Sequence, residues 1–448
     1  MRYSGLLFGL LAGLLCLPGS GAALEAGVAS ADITPPPGGH MAGYGARMIP
    51  VSTGTHDPLF ARALVLTDGE DMLALVTLDL VGFPADSVRE VKAAIEEKTG
   101  IAQVMLAASH THSGPEAGER TFPSDEAPWI ETAEQTVVSL VKEAQSACQP
   151  VRYGAGKGRV EEGHNRRKVS RDGEVTMFWR NEAREPTEPV DYELGVIRFD
   201  TLDGNTLATL VNFTCHPVVL GPKNLEFSAD YPGVMRTVVE ERLGGMCLFA
   251  NGACGDINPF LDKSDPAEGA FEEVARMGRA VGEEAVQVAE ALTMNETADP
   301  DLTVRTKSIA LDMRWDIEDP EVIAALEKKY GKILVHVALE RFKAQLPLAG
   351  GLVTVTLGDD VAIAGVPGEF FVEHGLWLKE QCVIPNTFVF GYCNGSLAYF
   401  PTINAAHEGG YGGKEATIVE VGAGERFMRE ALISFYYQTG RLRAIPAF

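Results

Sequence analysis

The chain is short of basic residues, of histidine and of metal-binding cysteine motifs. Lysine and arginine number 38 against 62 acidic residues, a formal net charge of -24. Such a surface repels phosphate backbones and anionic headgroups, which argues against nucleic acid as a partner and favours a neutral substrate or a cation held at a focused acidic site. No Cys-x-x-Cys pair occurs, so a thiolate zinc cluster is excluded. No internal repeat or low-complexity tract is present. Beyond the first residues no apolar run is long enough to cross a bilayer.

The N-terminus carries Arg2, an apolar run from Leu6 to Leu17 and the small residues Gly19 to Ala23. This pattern reads as a signal peptide over residues 1–23, which would place the mature chain, 24–448, in a secreted or periplasmic location. Without Cys16, six cysteines remain: Cys148, Cys215, Cys247, Cys254, Cys382 and Cys393. Export permits disulfides, and buried apolar thiols are the alternative; spacing alone does not decide between them. The oligomeric state is equally open.

What is present is an ordinary globular balance, with 46% hydrophobic residues. Strand patterns fall at 59–66, 72–80, 104–108, 194–199, 207–214, 247–250, 302–313, 352–357, 361–363 and 387–392. Helical periodicity falls at 85–98, 130–145, 231–243, 270–292, 319–345 and 369–380. Strands and helices alternate, so the expected class is α/β, a mixed β-sheet core flanked by helices with its site at the strand carboxyl ends. Residues 160–190 are polar and irregular, an excursion over the surface or the site.

Three short apolar strands run into histidine or aspartate beside Gly or Pro: Ser109-His110-Thr111-His112-Ser113-Gly114-Pro115, Thr214-Cys215-His216-Pro217 and Gly252-Ala253-Cys254-Gly255-Asp256-Ile257-Asn258-Pro259. His110 and His112 are alternate residues and can face one cavity. Imidazoles suit zinc, copper, iron and nickel, and zinc is the usual choice for hydrolysis. Two histidines leave room for a carboxylate ligand, and Glu369 follows the turn Val366-Pro367-Gly368. The plainer readings are hydrogen-bonded structural histidines and a Glu that serves a helix dipole. His40, His56, His164, His336 and His374 sit in no comparable setting, His336 and His374 reading as surface or packing residues. His407 lies in a Gly-rich loop that can approach the site.

Asp32-Ile33-Thr34-Pro35-Pro36, His110 to Pro115, Cys215-His216-Pro217, Asn251-Gly252 with Gly255-Asp256, and Pro367-Gly368-Glu369-Phe370 together resemble the catalytic domain of neutral/alkaline non-lysosomal ceramidases. The resemblance implies a Zn(2+) site of two His, one Glu and one Tyr. Carried onto this chain, these are His110, His216, Glu369 and, in Gly409-Gly410-Tyr411-Gly412, Tyr411. It also implies that His112 stands beside the metal and that Asn165-Arg166 lies near the polar group of the substrate. Two departures stand out. Asn258 occupies the place of the family's active serine, and the chain is expected to lack the C-terminal β-sandwich of ceramidases. The expected activity is zinc-dependent hydrolysis of an N-acyl amide, with His112 or Asp256 moving a proton, Asn258 orienting substrate or oxyanion, and Arg166 holding a polar group. Alternatives are an esterase, a deacylase of another N-acyl compound, and a non-catalytic binding protein on the same scaffold.

Overall fold

The computed structural model describes residues 23–443, apart from 48–49, 118–128, 296–300, 333–334, 337–338, 341–342 and 344–345. The leader expected over residues 1–23 lies almost wholly outside the described residues, as does part of the 319–345 segment, whose helix runs Pro320–Tyr330. Among the described residues no helix is long and apolar enough to cross a membrane.

An eight-stranded sheet has the order Met246–Asn251, Thr206–Phe213, Glu193–Thr201, Gln149–Arg159, Glu25–Asp32, Phe60–Thr67, Met72–Leu78 and Gln103–Ala108. A second sheet of four strands has the order Leu302–Ala310, Ala349–Leu357, Val361–Gly365 and Asn386–Phe390. The near-continuous apolar runs of these strands follow from burial on both faces. In Phe60–Thr67, Leu64 and Leu66 face the second sheet, where they join Val353, Val355, Ile363 and Phe388 in one core. The intervening Ala63 and Val65 face the helices Ala85–Thr99 and Trp129–Ser146 through Val91, Ile95, Val137 and Val141. The other half of the large sheet packs Val211, Phe213 and Phe249 on Met235 and Val281, from the helices Tyr231–Leu243 and Ala270–Ala291. The outer face of the small sheet is covered by Leu378, Phe427 and Phe435 of two further helices. The expected mixed sheet flanked by helices is therefore present, doubled into two stacked sheets with helices outside both.

Within the two large sheets, three of the described strand pairs are parallel: Met72–Leu78 with Gln103–Ala108, Thr206–Phe213 with Met246–Asn251, and Val361–Gly365 with Asn386–Phe390. Each is joined through a helix, so all six strands deliver their carboxyl ends to connecting loops. Those ends meet at the seam between the sheets. Asn251 Nδ2 donates to the Ser109 carbonyl at 3.0 Å, Gly391 N to the Asn251 carbonyl at 2.9 Å and Ala108 N to the Tyr392 carbonyl at 3.2 Å.

Some expectations need correction. Glu369 does not open a helix: Glu369–Phe370 is a short strand parallel to Tyr399–Phe400, and the helix starts at Val372. The ladder partner captures the residues that local periodicity assigns to the helix. All six cysteines described are free thiols, five of them buried, so the apolar reading is the one realised. His407 lies in the helix Ile403–Glu408 rather than in a loop, and its side chain is exposed.

The sheets meet closely at Gly195, where an added Cβ would lie 2.3 Å from the Phe388 ring. Gly195→Ala is expected to cost about 1–3 kcal/mol through overpacking, read as a lower midpoint in urea unfolding with an unchanged slope.

Candidate metal centre

His110 sits two residues past the strand end Ala108, with φ of 69°. A non-glycine residue persists in this left-handed region only where its surroundings over-determine it. They do so through two bonds to one neighbouring segment. His110 N donates to the Leu80 carbonyl at 2.9 Å and Nδ1 to the Val81 carbonyl at 2.6 Å. The ring stacks on Tyr392, centroids 4.0 Å apart. His216 is held in the same manner from the other parallel pair. Its N reaches the Ile257 carbonyl at 3.0 Å, and its Nδ1 faces the carbonyls of Cys254 at 2.6 Å and Ile257 at 3.1 Å.

A ring nitrogen facing a carbonyl must carry the proton, so in each neutral ring Nε2 holds the lone pair. These lone pairs converge. His216 Nε2 lies 3.1 Å and His110 Nε2 3.5 Å from Glu369 Oε2, and His112 Nε2 lies 3.2 Å from His110 Nε2. Among the described residues, the nitrogens of His110, His112 and His216 lie within 4.8 Å of one another. Two lone pairs aimed at a carboxylate oxygen repel unless a proton or a cation stands between them. Burial lowers His216 to about 4, which disfavours the proton. Burial also pushes His112 well below its ordinary value, aided by repulsion from His110 and His216. Burial alone would raise the Glu369 carboxyl, but His110 and His216 hold it well below the usual carboxylate range. A donor set of converging imidazole nitrogens and one ionised carboxylate, each backed by a carbonyl or a neighbouring strand, fits a divalent cation.

Around this point stands a polar wall. Arg166 is buried and donates to Asn258 Oδ1 at 3.0 Å, the Gly255 carbonyl at 2.6 Å and Tyr399 Oη at 3.1 Å. Asn258 returns its amide nitrogen to Asp262 at 2.8 Å. Asp256 accepts from Val372 N at 2.8 Å and Asn165 Nδ2 at 2.7 Å, and burial raises its carboxyl to about 6. The 160–190 excursion does cross the site: it supplies Asn165, Arg166 and Trp179, whose ring lies 4.9 Å from the Arg166 guanidinium carbon.

The family profile of the neutral/alkaline non-lysosomal ceramidase N-terminal domain matches residues 24–264. The chain belongs to that family. Among solved structures, the neutral ceramidase from Pseudomonas aeruginosa superposes with a TM-score of 0.74 at 20% identity, covering 95% of this chain and 76% of the other. A ceramidase described as complexed with C2 gives a TM-score of 0.73 at 19% identity, covering 95% of this chain and 77% of the other. The ceramidase fold thus extends over most of the chain, and His110 and His216 both fall within the matched family domain.

Two tyrosines bear on the place that the resemblance gives to Tyr411. Tyr411 is 37% exposed and meets the site through its ring, 5.4 Å from the Tyr399 ring and 5.5 Å from that of Trp179. Tyr399, 5% exposed, pairs with Glu369 across the short ladder and donates its hydroxyl to the Glu369 side chain. Its sequence signal is weak, a tyrosine in a short strand two residues before Pro401 in Tyr399-Phe400-Pro401. Tyr392, Asp262 and Lys263 carry no such signal. Lys263 pairs with Asp262 and lies 4.2 Å from the Trp179 ring, so sequence separation hides what the loop brings together.

The His216 shift has a definite sign. The unfolded ring takes its proton near 6.5, the folded ring near 4. Its contribution to stability is complete above pH 6.5 and lost as pH falls toward 4. In metal-free protein the parent should lose, relative to His216→Gln, on the order of 3 kcal/mol across that window, read by urea unfolding at each pH. Equal slopes in both proteins would refute the buried neutral ring.

Proposed function

We propose that this ceramidase-family chain is a zinc-dependent amidohydrolase that cleaves the amide bond of an N-acyl, ceramide-like substrate. The observation that carries the reading is the convergence of His110 Nε2 and His216 Nε2 on Glu369 Oε2, with each Nδ1 committed to a carbonyl. His110, His216 and Glu369 would hold the ion, with Tyr399, whose hydroxyl meets Glu369, in the fourth place. When bound, zinc polarises the substrate carbonyl and makes water acidic enough to attack near neutral pH.

The chain's own groups account for the rest. His112 is neutral, keeps Nδ1 buried without a hydrogen-bond partner, and sets Nε2 beside His110. It takes the proton of the attacking water and returns it to the leaving nitrogen. Arg166, which donates to Tyr399 Oη at 3.1 Å, would hold that phenol in the fourth place beside Glu369. Arg166 therefore acts on Tyr399, and its Nε is buried without a hydrogen-bond partner. Asp256 has both oxygens engaged by Val372 and Asn165, so it positions the Glu369 segment rather than carrying a proton. Asn258 joins Arg166 to Asp262 and orients the wall rather than attacking substrate.

A second reading, a deacylase of a different N-acyl compound, is favoured by Asn258 itself: its amide fills both bonds where the family places a serine hydroxyl. A panel of N-acyl sphingoid bases, N-acyl amino acids and fatty esters separates the two by kcat/KM.

His110→Ala and His216→Ala should each abolish stoichiometric zinc and lower kcat/KM at least 1,000-fold, measured by elemental analysis and ceramide hydrolysis. Full metal content in both variants, or activity that survives chelation, would defeat the assignment. Asn258→Ser should weaken turnover about 10-fold by cutting the link between Arg166 and Asp262. Raised ceramide turnover in that variant would show instead that the asparagine had replaced a working hydroxyl.

A further inference from the structure

We infer that residues 228–236 set the distance between His110 and His216, and that Arg236 and Tyr231 are positioning residues for the metal-binding pair. The inference rests on the metal reading above, but the contacts behind it stand apart from any ion.

The helix Tyr231–Leu243 and the turn before it touch both histidine loops. Tyr231 Oη donates to the Cys215 carbonyl at 2.7 Å, the residue directly before His216. Five residues on, Arg236 grips Asp79 with two bonds, at 2.7 and 2.6 Å. Asp79 opens the segment whose next two carbonyls, Leu80 and Val81, hold His110 by its backbone and its ring. Asp79 is fixed to its own sheet by Phe60 N at 2.9 Å. The turn before the helix completes the frame. Thr111 Oγ1 donates to the Ser228 carbonyl at 2.8 Å, Ser228 N to the Ser113 carbonyl at 3.0 Å and Leu220 N to Asp230 at 3.0 Å.

A helix is stiff, and a five-residue step along it spans about 7.5 Å. Two rings hung from opposite ends of such a step cannot drift apart without breaking a buried bond. Tyr231, Asp79 and Arg236 are all buried. Cutting the Arg236–Asp79 pair frees the Leu80–Val81 carbonyls, and the left-handed backbone at His110 then loses what enforces it. Removing the Tyr231 hydroxyl frees the Cys215 carbonyl in the same way. Neither change touches a ligand.

The test compares Asp79→Asn, Arg236→Lys and Tyr231→Phe with Asp200→Asn, which breaks the partly buried Arg198–Asp200 pair on the strand Glu193–Thr201. Zinc affinity is measured by competition with a chelating dye, below the unfolding range of each variant. Amide exchange is followed in peptides covering 109–113 and 214–217. Asp79→Asn and Tyr231→Phe should each weaken zinc at least 10-fold, and together about 100-fold. Asp200→Asn should stay within 2-fold of the parent despite a similar loss of stability. Exchange should rise in the 109–113 peptide for Asp79→Asn and in the 214–217 peptide for Tyr231→Phe, and in neither for Asp200→Asn. Should Asp79→Asn fail to fold, Arg236→Lys, which keeps the charge but loses the two-pronged grip, replaces it. Parent-like affinity with parent-like exchange would overturn the inference. A parent that takes up no zinc would defeat the metal reading, and the exchange results would then decide the spacing claim by themselves.

Discussion

Lone pairs that point at one another are the constraint on which the site depends. His110 and His216 each spend their one ring proton on a carbonyl, so their remaining nitrogens face a carboxylate with nothing to donate. In a dry interior such an arrangement is unfavourable unless positive charge sits at the centre. The surrounding fold holds it there with strained backbone at His110 and carbonyls aimed from two separate loops. Structure that maintains a local conflict is the mark of a binding site in waiting rather than of ordinary packing.

The two-sheet architecture makes this convergence reachable. Each histidine follows one parallel strand pair of the large sheet, and Glu369 and Tyr399 come from loops of the small sheet. Stacking the sheets aligns the carboxyl ends of all three crossovers at one seam. The large sheet supplies the imidazoles, and the small sheet supplies the acid and the phenol. The small sheet is therefore part of the candidate site as well as a cover for the core. Close approach at Gly195 and Phe388 shows how tightly the halves must seat.

Membership of the ceramidase family and the zinc reading draw on different observations. The first comes from the match over residues 24–264 and from the shared fold. The second comes from the orientation of ring nitrogens within this chain. Asn258 is the residue at which the motif resemblance expects a serine. It stands fully buried between Arg166 and Asp262, accepting from the first and donating to the second.

Strand and helix positions were legible in the sequence because alternation and helical periodicity are local. So were His110, His112 and His216, because a short apolar strand ending in His beside Gly or Pro has few other uses. Glu369 was found, yet its backbone was read as helix, since only a partner strand thirty residues away makes it extended. The thiols stayed undecided for the same reason, because pairing depends on distance in space. Tyr399 against Tyr411, and the frame of Tyr231, Arg236 and Asp79 behind the histidines, belong to the tertiary structure alone. Residue type and spacing determine which side chains are able to bind a metal; only packing decides which lone pairs face one point, because direction is set by hydrogen bonds from chain segments far apart in sequence.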